Sequence, residues 1–218
     1  MYRTVHHSFW INGRYNFVNC KMNYLAHAYL SFRDPSILVG NMISDFVKGK
    51  NKFNYPHRVQ QGIMLHRFID QFTDNHSVNR ELRKIFKLQY GLYSGAIVDV
   101  ILDYFVANDK SLFAPESLEE FSLGVYDMIE PFHLIFPDKF SRMFPYMKSQ
   151  NWLYHYQFEE GIKNSLGGLA RRALYITETD TAFRLYLEQL DTIQSGYNEF
   201  FPELKAATFA AFKATSQE

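Results

Sequence analysis

Pro56-His57-Arg58-Val59-Gln60-Gln61-Gly62-Ile63-Met64-Leu65-His66-Arg67-Phe68-Ile69-Asp70 is the stretch that decides the fold, inside a run from Tyr55-Pro56 to Asn75. Proline suits the first turn of a helix, where its missing N–H has no intrahelical partner to lose. After it Val59, Ile63, His66 and Asp70 recur at spacings of four, three and four, which is one face of an α-helix. An apolar stripe thus continues into an imidazole and a carboxylate. A carboxylate on a buried stripe needs a proton, a cationic partner or a metal, because an unpaired buried charge is very costly. On spacing alone two readings stand: a core histidine bonded to its own helix neighbour Asp70, or two metal ligands.

Two flanking stretches bear on that choice. Asp34-Pro35 predicts a capped helix start, and the helix it opens runs to about Lys48 with Ile37, Leu38, Met42, Ile43, Phe46 and Val47 as its apolar surface. Along it Asn41 and Asp45 are four apart, and Asp45 stands late in the helix, where the macrodipole disfavours negative charge unless a positive group is near. Upstream, Asn23 is placed to cap a short helix through Ser31 that carries His27 among apolar neighbours. Downstream, Ser94 to Asn108 is the most apolar helical segment of the chain, interrupted by Asp99 and Asp103 at a spacing of four. Two like charges on adjacent turns repel, the more so in apolar surroundings. For Asp99 an exposed edge and a buried role are both open; Asp103 reads as functional.

The chain has 218 residues, 47% of them hydrophobic and 17% aromatic, enough for one globular domain with a continuous core and too apolar for a disordered chain. Lys plus Arg equals Asp plus Glu at 23 each, so net charge gives no reason to expect nucleic acid or a membrane as partner. The charge is uneven, however. Between residues 48 and 87 nine cationic side chains stand against three acidic ones, a surface that would attract an acidic partner, while residues 109 to 130 hold six acidic side chains against Lys110 alone and read as ordinary surface. Cys20 alone cannot form an internal disulfide or a thiolate cluster, no apolar run reaches the length of a membrane span, and no signal peptide is recognisable. The expectation is a cytoplasmic protein.

Residues 1 to 21, including His6-His7, show no period and read as an N-terminal extension; residues 22 to 218 form the domain. Beyond Pro115, helices are expected at roughly 117 to 130, 138 to 148, 150 to 164, 180 to 196 and 202 to 214, with aromatic stripes that serve packing. Gly167-Gly168 before Arg171-Arg172 can present two guanidinium groups to a phosphate, a weak signal by itself. With no hairpin signal, alternating strand series or repeat, the fold class is all-α, a single-domain helical bundle.

The collected candidates are His27, Asp45, His66, Asp70 and Asp103, with Asp74 and Asp99 as neighbours. Imidazoles with several carboxylates and no thiolate suit Mn²⁺, Mg²⁺ or Fe²⁺ better than a structural zinc site. Such an ion lowers the pKa of a bound water and bears charge growing on a phosphoryl oxygen. A ferritin-like di-metal site needs two Glu-x-x-His turns, and Glu130 to His133 supplies one, interrupted by Pro131. Serine-hydrolase elbows, P-loops and dinucleotide fingerprints are absent from the sequence.

Met22-Asn23-Tyr24-Leu25-Ala26-His27, Gly40-Asn41 with Asp45-Phe46-Val47-Lys48-Gly49, His66-Arg67-Phe68-Ile69-Asp70 with Thr73-Asp74-Asn75, Asp99 and Asp103, and Gly167-Gly168-Leu169-Ala170-Arg171-Arg172 together resemble the bacterial acyl carrier protein phosphodiesterases. The resemblance runs from Met22 nearly to the C-terminus. It implies a helical fold distantly related to HD-domain phosphohydrolases, a Mn²⁺-preferring site, and removal of 4'-phosphopantetheine from holo-acyl carrier protein, an acidic protein. One departure stands out: the HD motif places His and Asp side by side, whereas three residues separate His66 from Asp70. The resulting expectation is that His66, Asp70, Asp45 and Asp103 hold the cation and that His27 is a further ligand or the acid for the leaving oxygen. Arg67, Lys48 or the Arg171-Arg172 pair would meet the phosphate. The rival expectations are a phosphohydrolase acting on a nucleotide or other small phosphodiester, and a helical interaction module whose buried carboxylates are structural.

Overall fold

Asp34 begins the central layer. Its side chain accepts from the backbone N–H of Ser36 and Ile37 at 3.1 and 3.0 Å, and Arg58 clamps its other oxygen at 2.8 Å, so helix α2 (Pro35–Ile43) starts where the Asp-Pro pair predicts. From Ile37 to Ile43 every residue of α2 is buried, the signature of a helix enclosed on all sides. It ends sooner than the sequence pattern predicts. A 3₁₀ turn over Ser44–Phe46 takes the chain away, and this turn carries Asp45.

The computed structural model describes residues 24–215. His6, His7, Cys20 and the Asn23 cap lie outside the described residues. On α2 pack α1 (Tyr24–Tyr29) and α3 (His57–Asn75), with α4 (Ser77–Tyr90) beside α3 and α5 (Ser94–Asn108) beside α1 and α4. The remainder are α6 (Lys110–Phe113), α7 (Leu118–Ile129), α8 (Asp138–Ser149), α9 (Trp152–His155), α10 (Glu159–Arg172), α11 (Asp180–Glu188) and α12 (Leu190–Ala214). The fold is all-α, with no strand among the described residues, and forms one domain.

α2 and α3 cross in close contact, and two glycines make it possible. A β-carbon on Gly40 would lie 2.1 Å from the Val59 carbonyl oxygen, and one on Gly62 would lie 2.3 Å from the Ile37 carbonyl oxygen. Any side chain at either position would push the helices apart. This contact brings Asn41 near the end of α2, and Asp45 on the turn after it, against the His66 and Asp70 stripe of α3, and the Ser44 hydroxyl donates to the Ile63 carbonyl at 3.3 Å beside it.

Several boundaries differ from the sequence expectations. The segment expected at 150 to 164 is split into α9 and α10, and Gly167-Gly168 lies inside α10 rather than in a loop. The break expected between 196 and 202 falls at Gln189 instead, and Pro202 sits within α12. Gly196 serves helix crossing: a β-carbon there would meet Val78 and Leu82 side chains at 3.0 and 3.1 Å. By length and composition the helical run Ser77–Asn108 could cross a membrane, but 67% of its apolar window is buried inside the bundle and Gly91, with φ +51°, turns the chain between α4 and α5. That run is core.

Candidate metal centre

His27 from α1 and His66 from α3 meet face to face, ring centroids 4.0 Å apart and planes 18° from parallel, both buried. One side chain joins them. The Asn41 Oδ1 lies 2.7 Å from His27 Nδ1 and 3.2 Å from His66 Nδ1. Which end of the Asn41 amide is oxygen follows from its other contacts, since the amide nitrogen donates to the His27 backbone carbonyl at 2.9 Å and to Ser31 Oγ at 3.0 Å, and a carbonyl can only accept.

An amide oxygen that accepts from both rings fixes both as Nδ1–H tautomers, leaving a bare lone pair on each Nε2. Both lone pairs face acid. His27 Nε2 is 3.5 Å from one oxygen of Asp70, His66 Nε2 is 3.5 Å from the other, and Asp45 Oδ1 lies 3.4 Å from His66 Nε2. Neither Nε2 has a hydrogen bond in the structure, though both atoms are buried. Lone pairs of nitrogen and carboxylate oxygen repel unless a proton or a cation lies between them. Ligand atoms of His27, His66 and Asp70 all fall within 4.8 Å of one another, so one cation can meet all three.

Burial and the two carboxylates act differently on the two imidazoles. Burial pushes His27 below its ordinary range and the neighbouring His66 adds to the effect, against the pull of Asp70 and Asp45. Burial acts the same way on His66, but the adjacent Asp45 carboxylate, with help from Asp70 and Asn41, outweighs it and holds that imidazole above its ordinary range. The carboxylates therefore favour positive charge beside His66.

A pocket of about 260 Å³ opens onto this cluster, lined by Asp45, Lys48, His66, Arg67, Asp70 and Asp74 among others. Arg67 is anchored there, its Nη2 donating to the Val47 carbonyl at 3.1 Å. Lys48 is exposed at the same mouth.

Asp103 is placed otherwise. Although buried, its two oxygens accept from the backbone N–H of Leu25 and Ala26 at 3.1 and 3.0 Å, which holds the N-terminal turn of α1 from α5. Burial pushes its carboxyl well above the usual range, the two N–H donors pull it back, and Asp99 adds repulsion. Asp103 is not in the His27, His66 and Asp70 group; it fixes the helix that carries His27. Asp99 is buried as well, so the exposed-edge alternative does not hold. Arg171 and Arg172, on the last turn of α10, line a different cavity of about 530 Å³ with Trp152, His155 and Tyr156. Asn41 is the site residue that sequence reasoning left without a role. A buried-pattern amide four residues before Asp45 in an otherwise apolar helix was the available signal.

The family model described as acyl carrier protein phosphodiesterase matches residues 22–204. The chain belongs to the acyl carrier protein phosphodiesterase family. Among curated family members, a protein named acyl carrier protein phosphodiesterase from Klebsiella pneumoniae (strain 342) is 30% identical over 184 residues, covering 84% of this chain and 95% of that protein. One of the same name from an Escherichia coli strain is 30% identical over 186 residues, covering 85% of this chain and 96% of its own. No solved structure matches the chain. The match begins just before α1 and takes in all five acyl carrier protein phosphodiesterase candidates, His27, Asp45, His66, Asp70 and Asp103.

Proposed function

We propose that this family member is a metal-dependent phosphodiesterase that hydrolyses the 4'-phosphopantetheine arm from holo-acyl carrier protein, leaving the apo-protein. The observation that carries the metal is the Asn41 amide, which turns both Nε2 lone pairs toward Asp70 and Asp45. Such an arrangement is stable only with positive charge between nitrogen and oxygen. The names of the curated relatives support the substrate.

His27, His66 and Asp70 would hold the ion, with Asp45 beside His66. Nitrogen and carboxylate donors without thiolate favour Mn²⁺, with Mg²⁺ or Fe²⁺ as alternatives. An ion there supplies a water of lowered pKa and bears charge on the phosphoryl oxygen. The chain's own groups do the rest. Asn41 orients both imidazoles, in the manner of the outer hydrogen bonds that commonly fix ligating histidines. With Nδ1–H engaged and its basicity lowered by burial, His27 suits a ligand better than the acid for the leaving oxygen. Arg67, fixed on Val47, and Lys48 at the mouth meet the phosphate's charge. Arg171 and Arg172, lining their separate cavity, are left to other parts of the substrate.

Mass spectrometry of holo-acyl carrier protein incubated with the protein tests the proposal. With Mn²⁺ the carrier is expected to lose the mass of the arm, and with chelator to keep it. An unchanged mass in Mn²⁺ would sink the reading.

A further inference from the structure

Beside the His/Asp pocket is a second cavity of about 480 Å³, and Asp74 lines both. Its wall is the cationic side of α4, with Arg80, Arg83, Lys84 and Lys87, closed at one end by the first turn of α5 at Ser94, Gly95 and Ala96. Four cations face a single carboxylate, and that carboxylate is engaged: Arg83 Nη2 donates to Asp74 at 2.5 Å. The Arg83 guanidinium lies over Gly95, where a β-carbon would sit 3.3 Å from its Cζ and Nε, and the buried Nε has no hydrogen-bond partner. Lys84 reaches Glu81 at 2.7 Å. Arg80 and Lys87 make no ion pair among the described residues.

Arg80, Lys84 and Lys87 follow the i, i+4, i+7 pattern, so they form one stripe spanning about 10 Å of helix. Like charges so arranged repel. The complement is an anionic surface of similar length. A small anion would satisfy the charges but not the rest of the patch: Leu92 lines the same cavity and Leu88 follows Lys87 on α4, and they are 80% and 91% exposed. Two leucines this exposed next to a cationic stripe fit a protein surface that can cover them.

We infer that this stripe is the docking surface for the carrier-protein substrate. It receives carboxylates one and two helical turns apart on that protein, Leu88 and Leu92 are covered by its apolar side chains, and the arm passes Asp74 into the His/Asp pocket. The inference rests on the phosphodiesterase reading and deepens it by assigning where the protein part of the substrate sits.

The test uses Arg80→Glu/Lys87→Glu, both positions exposed and outside the ion pairs that Arg83 and Lys84 make on α4. KM for holo-carrier protein is expected to rise at least tenfold with kcat within about twofold, while hydrolysis of bis(p-nitrophenyl) phosphate is unchanged. Leu88→Ser is expected to raise the same KM severalfold. Fluorescence anisotropy of labelled holo-carrier protein, which needs no turnover, should show a matching tenfold loss of affinity, and the wild-type affinity should fall with added salt more steeply than the variant's. Equal affinity in wild type and variant overturns the docking surface. So does competition by millimolar inorganic phosphate against bis(p-nitrophenyl) phosphate that the double variant abolishes, since that assigns the cavity to a small anion. Failure of the wild type to cleave either substrate would instead count against the phosphodiesterase reading, and the anisotropy comparison would still decide docking.

Discussion

Replacing Gly62 with alanine separates the helix contact that builds the site from the site residues themselves. The new methyl would lie 2.3 Å from the Ile37 carbonyl oxygen and 2.9 Å from Ile37 Cα, backbone atoms that cannot rotate away as a side chain would. Overpacking of this kind costs about 3 kcal/mol, the upper part of the usual range. Alanine returns about 1 kcal/mol through its better helix propensity, leaving a net loss of about 2 kcal/mol. For a chain of this length that is a fall in Tm of roughly 4 to 8 °C. Function should suffer more than stability, because separating α2 from α3 pulls Asn41 Oδ1 off His66 Nδ1, now 3.2 Å away, and Asp45 off His66 Nε2. Thermal unfolding by circular dichroism, with Mn²⁺ titration by calorimetry, reads both. Gly124→Ala is the control, since a β-carbon there meets nothing within 4 Å and should leave Tm unchanged or slightly raised. A Gly62→Ala protein with wild-type Tm and wild-type Mn²⁺ affinity would refute the claim that this crossing positions the site.

Asn41→Ala should lower Mn²⁺ affinity by roughly ten- to a hundredfold by freeing both tautomers, measured by calorimetry. Asp45→Ala or His66→Ala should abolish arm removal while leaving the far-ultraviolet circular dichroism unchanged; normal turnover in either variant would take that residue out of the mechanism. Asp103→Asn should destabilise by about 1 to 3 kcal/mol in urea unfolding, because an amide cannot accept from both Leu25 and Ala26 with the same geometry. A proton on His66 competes with the cation, and Asp45 holds that proton to higher pH than usual, so Mn²⁺ affinity should fall as pH drops through the raised His66 range and recover above it. A flat profile in a calorimetric pH series would contradict this.

The stripe through Val59, Ile63 and His66 was legible because a 3.6-residue period is a local property, and α3 buries all three, while Asp70, expected on the same buried stripe, is partly exposed. The Asp34-Pro35 start was legible for the same reason, since a cap is a matter of three residues. What the sequence could not show was direction. Asp103 has the composition signal of a ligand, yet its oxygens turn to the N-terminal turn of α1, a partner set by tertiary packing 77 positions away. Arg171 and Arg172 share a motif with a glycine pair but lie in a helix whose last turn faces another cavity. The α11 to α12 break carries no glycine or proline, whereas Gly196 and Pro202, at the edges of the expected break, sit within α12.

Asn41 serves two masters with one oxygen. Neither imidazole can therefore change its basicity without altering the amide polarisation felt by its twin, and the effects of damaging them must fail to add. A double-mutant cycle pairing Asn41→Ala with His27→Ala, or with His66→Ala, should return a coupling as large as the single losses, the mark of a unit that is inherited whole or lost whole.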